Sequence, residues 1–129
     1  MTLGSIHHPV ILFKTLTENR AEFGLRIPRE LAYFDGHFPD LPIVPGIVQL
    51  HWAVEFAKEV FNISGIVREG RQIKFSNLMR PLDEPCLVLE HVSENSLIIY
   101  HYKAGEKTYA SGRLIYSSDA KGERVSNGL

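Results

Sequence analysis

The chain has one cysteine, one tryptophan, two methionines and no surplus of either charge in 129 residues. Each scarcity removes a class of protein. A single thiol, Cys86, cannot close an internal disulfide, so the fold must stand on its core. With Lys+Arg 14 against Asp+Glu 15, the formal charge is −1, which argues against nucleic acid or an anionic membrane as the main partner. No apolar stretch approaches the ~18 residues that span a bilayer. The N-terminus has no basic segment leading into a long apolar run, so no signal peptide is expected. Together these predict a reducing, cytoplasmic setting. His7-His8, His91 and His101 do not have metal-ligand spacing, and HxxEH and CxxC patterns are missing. A glycine-rich phosphate loop and a Gly-x-Ser-x-Gly elbow are missing too, and neither metal nor cofactor is expected.

The pattern of apolar residues predicts an α+β chain of one domain over 1–129, with its core in about 9–117 and a polar, mobile tail from 118 to 129. Strands are expected at Val10 to Thr17 and Ala21 to Ile27, joined by a polar turn. A long helix follows from Ile47 to about Phe61. At 100° per residue His51, Glu55, Lys58, Glu59 and Asn62 share one stripe of it. Ile47, Leu50, Ala53, Val54, Ala57, Val60 and Phe61 cover the rest, so the helix should be wrapped on most sides, with Gly65 at its end. Four more strands are expected at about Ile66 to Phe75, Cys86 to Val92, Leu97 to Lys103 and Lys107 to Tyr116.

Between the second strand and the helix runs Gly36-His37-Phe38-Pro39-Asp40-Leu41-Pro42-Ile43-Val44-Pro45-Gly46. Three prolines hold this backbone in few conformations and keep it from becoming helical. Glycine at the helix start lets a ligand approach the free N–H groups of the first turn. Those groups, at the positive end of the helix dipole, suit a carbonyl oxygen that becomes negative during reaction. His37 would be a base close by. Plainer readings exist: a loop histidine bonded to backbone, and a Pro-Gly pair that only starts a helix.

This stretch resembles the 3-hydroxyacyl-[acyl carrier protein] dehydratases of the hot-dog fold, the FabA/FabZ group and its ApeI-like relatives. Gly36, His37, Phe38, Pro39, Pro42, Pro45 and Gly46 fall in register with the family motif. Ile73-Lys74-Phe75-Ser76-Asn77-Leu78-Met79-Arg80-Pro81-Leu82 resembles a second family stretch, and the likeness covers about residues 9 to 117. It implies a curled antiparallel sheet around one central helix. It also implies dehydration of a carrier-bound 3-hydroxyacyl thioester to the trans-2-enoyl product. The family's acidic position, five past the motif's last glycine, is occupied here by His51.

On that resemblance His37 takes the C2 proton, the Gly46 N–H polarises the thioester carbonyl, and His51 donates to the departing hydroxyl. Asp40 and Glu55 are reserve carboxylates. Phe38, Pro45, Gln49, Leu50 and Trp52 are expected at the substrate, although a buried, hydrogen-bonded Gln49 and a core Trp52 are the plainer readings. Expected partners are acyl carrier protein with its phosphopantetheine-linked substrate, and a second copy of the chain, because family sites combine residues of two protomers. Arg68, Arg71, Lys74 and Arg80 form a local positive excess that an acidic carrier would favour, or are the exposed sides of ordinary strands. A hot-dog thioesterase using Glu55 or Asp40, and a non-catalytic acyl-binding or partner subunit, are the alternatives.

Overall fold

A computed structural model describes residues 6–31 and 42–117. His37, Phe38 and Asp40 therefore lie outside the described residues, as does the segment 118–129. Strands β1 (Val10–Leu16) and β2 (Arg20–Arg26) come first, followed by helix α1 (Gly46–Val60). Strands β3 (Val67–Phe75), β4 (Cys86–Val92), β5 (Leu97–Ala104) and β6 (Lys107–Tyr116) complete the order. All pair antiparallel in one six-stranded sheet with the order β1-β2-β4-β5-β6-β3. The element boundaries fall within one or two residues of those read from the sequence.

Alternation along the strands shows which side of the sheet meets the helix. Leu87 and Leu89 of β4, and Ile98, Tyr100 and Tyr102 of β5, are fully buried, as are Phe23 and Leu25 of β2 or nearly so. From α1, Trp52, Ala53 and Ala57 lie at 0% exposure against them. Alanines let the helix backbone come close to the sheet, and Trp52 fills the remaining space. Burying such a tryptophan removes a large apolar surface from water. The indole N–H donates to His7 O at 2.9 Å, so burial leaves no orphaned donor there.

Two expectations about the helix need correction. Gly65 does not stop it. Asn62, with φ 56, takes the left-handed conformation after the cap residue Phe61, and Asn tolerates it better than most residues. Gly65 is instead demanded by crowding, since a Cβ there would collide with the Ser117 carbonyl. The helix is also less enclosed than its composition suggested, for Ile47 is 71% exposed. A stripe containing both Ile47 and His51 faces away from the sheet.

Among the described residues the sheet has two open edges. Every residue of β1 is exposed, including Val10, Ile11, Leu12, Phe13 and Leu16, and β3 is exposed except for Val67. Curled antiparallel strands around one long helix constitute the hot-dog arrangement.

Candidate functional site

The approach to α1 is held by four bonds that fix where the helix begins. Val44 N–H donates to Met79 O at 2.8 Å, tying the loop to the segment after β3. Gln49 Nε2 donates to Val44 O at 3.0 Å. Pro45 is the N-cap, with φ −60 and ψ 147, and its carbonyl accepts from Val48 N–H at 3.0 Å and Gln49 N–H at 3.1 Å. Among the described residues no side chain caps the helix, and no acidic residue occupies its first turn. Among the described residues, the N–H groups of Gly46 and Ile47 have no acceptor. They are the bare positive end of a helix of 15 residues.

The structure supplies a second reason for glycine at position 46. A Cβ there would lie 2.5 Å from Cε1 and 2.6 Å from Cζ of Phe75, so the ring at the end of β3 rests on the glycine. Phe75 is itself 55% exposed, and it joins the second sequence stretch to the helix start.

Beyond the first turn, Ile47, Val48, Leu50, His51 and Val54 line an open apolar groove of about 350 Å³. His51 borders it, with a largely exposed side chain. Its Nε2 lies 3.3 Å from Oε2 of Glu55, one turn further along. The other oxygen of Glu55, Oε1, lies 3.2 Å from Nε2 of His8, with which it shares a hydrogen bond. Sequence reasoning placed His51 and Glu55 on one stripe but did not bring in His8, 47 residues from Glu55. No local signal could have done so. Among the described residues no group of three or more His, Cys, Asp or Glu side chains could hold a metal ion.

Under the helix the polar groups are arranged tightly. Gln49, only 3% exposed, keeps its amide Nε2 on Val44 O, while its Oε1 has no partner among the described residues. The Gln49 carbonyl also accepts from Tyr102 Oη at 2.6 Å. Burial, and then the neighbouring Tyr100, push the Tyr102 phenol well above its usual range, so it is a fixed donor. Gln49 thus holds the helix start in place, and Trp52 belongs to the core beneath it.

Of the basic residues after the helix, Arg71 is engaged by Glu69 at 2.7 Å, and the Arg80 N–H donates to Asp83 Oδ2 at 2.9 Å. The exposed Glu69–Arg71 pair offsets one of the four positive charges that these side chains would present to a carrier. No helix of the described residues is long and apolar enough to cross a membrane.

Solved structures of the same shape exist. The dehydratase heterocomplex ApeI:P from Xenorhabdus doucetiae matches with a TM-score of 0.80 at 21% identity, covering 84% of this chain and 97% of that one. An uncharacterized protein from Erwinia carotovora subsp. atroseptica matches with a TM-score of 0.73 at 26% identity, covering 86% and 97%. The uncharacterized protein PH1136 from Pyrococcus horikoshii matches with a TM-score of 0.57 at 16% identity, covering 86% and 80%. No curated protein matches the chain. The family model of the ApeI-like dehydratases matches residues 14–113, and with its hot-dog fold the chain belongs to that family.

Proposed function

We propose that the protein removes water from a 3-hydroxyacyl thioester delivered on acyl carrier protein, leaving the trans-2-enoyl thioester. One observation carries the reading: a helix start whose first N–H groups have no acceptor among the described residues opens beside an apolar groove bordered by His51. Family membership supports the reaction class. In this reaction His37 takes the C2 proton, electrons move to form C2=C3, and the C3–O bond breaks as His51 protonates the leaving oxygen. The Gly46 N–H donates to the thioester oxygen as negative charge develops on it. A donor already aimed needs little reorganisation. The acyl chain lies along Leu50 and the groove. Phe38 and Pro45 shape the entrance, with Gln49 and Trp52 holding the helix from below.

The site would be completed by a second hot-dog subunit, a copy of this chain or a relative. Two observations support this: both sheet edges are open among the described residues, and the similar ApeI:P structure is a heterocomplex. An unpaired apolar edge such as β1 is a template for another chain. The same β1 favours a second reading, in which the chain binds acyl groups for a catalytic partner.

Incubation with a 3-hydroxyacyl carrier substrate, with enoyl and free-acid products separated, distinguishes dehydratase, thioesterase and binding subunit. His37→Ala should lower enoyl formation by at least ~10²-fold, the lower end of what one acid–base group supplies. Near-wild-type turnover in that variant would remove His37 from the reaction.

A further inference from the structure

The segment before β1 reaches across to the helix. Ile6 pairs with Leu31 as an isolated parallel bridge, His7 O accepts the Trp52 indole N–H at 2.9 Å, and Pro9 is buried. These contacts fix His8 over the outward face of α1, where its Nε2 and Glu55 Oε1 are 3.2 Å apart. Oε2 is left facing His51 Nε2 at 3.3 Å. The two carboxylate oxygens are therefore divided between two imidazoles on elements far apart in sequence.

We propose that His8 and Glu55 form a clamp that positions His51, turning Nε2 toward the carboxylate and leaving Nδ1 for the substrate. Glu55 and His8 are positioning residues here, not proton donors. The inference rests on the dehydratase reading for what His51 does with that nitrogen. When His51 gives its Nδ1 proton to the leaving hydroxyl, water departs and the ring is left neutral with hydrogen on Nε2. That is the tautomer a carboxylate beside Nε2 stabilises, because the N–H points at a negative oxygen. Without Glu55 the ring could flip, or settle with hydrogen on Nδ1. Its proton would then leave from the wrong side of the groove. Lys58 and Glu59 follow on the same helix and are the next charged groups along it. Ion pairs as exposed as these contribute little to stability, so the clamp should affect orientation far more than folding.

The test uses the full chain labelled with nitrogen-15, its imidazoles observed by NMR at alkaline pH. Wild-type His51 should report the Nε2–H tautomer. Glu55→Ala should yield a mixture of tautomers and lower kcat about 10–100-fold with KM little changed, the range seen when a metal-bound imidazole loses its outer partner. Glu55→Gln keeps an acceptor oxygen and should recover most of both readouts. His8→Ala should move them in the same direction as Glu55→Ala but less far. Glu59→Ala, one turn on, should resemble wild type. An unchanged His51 tautomer in Glu55→Ala overturns the clamp, as does an unchanged kcat. A protein that never forms enoyl product but shows the Glu55-dependent tautomer would sink the reaction and leave the positioning intact.

Discussion

Helix α1 has two sides governed by different physics. On the sheet side, Val48, Gln49, Trp52, Ala53 and Ala57 are buried, and each is held by shape or by a hydrogen bond with no room for exchange. On the outward side, Ile47, His51 and Glu55 are open to solvent and make few contacts within the described residues. A close-packed side resists a change of even a methylene group. The outward side tolerates change in stability but carries the groups that could do chemistry. The contrast separates substitutions that unfold the protein from those that silence it.

The sharpest way to break the contrast is Trp52→Ala against His51→Ala. Removing the buried indole leaves a cavity and deletes the hydrogen bond to His7 O, and should cost about 3–5 kcal/mol in denaturant melts. His51→Ala should stay within about 0.5 kcal/mol of wild type, as exposed positions do, while losing most dehydration activity. Equal destabilisation by the two changes would mean that the outward side is packed as firmly as the inner one.

A smaller effect sharpens the picture of the inner side. Tyr102→Phe removes one buried hydroxyl donated to the Gln49 carbonyl at 2.6 Å. The expected loss is about 1 kcal/mol, that of one hydrogen bond. A variant as stable as wild type would show that the helix start does not depend on this bond.

The smallest effect lies at the far end of the helix, where Phe61 stacks on His91 with ring centroids 5.0 Å apart. Burial holds the His91 imidazole below its ordinary value of 6.5, and Glu94 partly opposes that. The unfolded chain therefore takes up this proton first as pH falls. The His91 contribution to stability is present above about 6.5 and is lost as pH drops from there through the folded value. Stability measured across that window should decline toward acid, and His91→Gln should flatten the decline. An unchanged slope in the variant would assign the acid sensitivity to other groups.

The strands and the helix were legible because burial imposes periods of two and 3.6 residues on apolar side chains. The helix start at Pro45-Gly46 was legible because proline and glycine write backbone constraints directly into the sequence. Less legible were the reasons behind single residues. Gly46 read as access for a ligand, yet it also makes room for Phe75. Gly65 read as a helix stop, yet it serves the approach of Ser117. Ile47 read as core because it is apolar, although its angular position takes it out of the sheet's reach.

Periodicity and local backbone chemistry belong to the chain alone, and they fixed the element order, the long helix and its Pro45-Gly46 start. Tertiary structure alone decided which atoms meet across long separations. His8 reaches Glu55 over 47 residues and Tyr102 reaches Gln49 over 53. The physical reason is that such contacts follow from how the sheet curls around the helix, a property of all the strands at once. No window of sequence around His51 contains the imidazole that lies one carboxylate away from it.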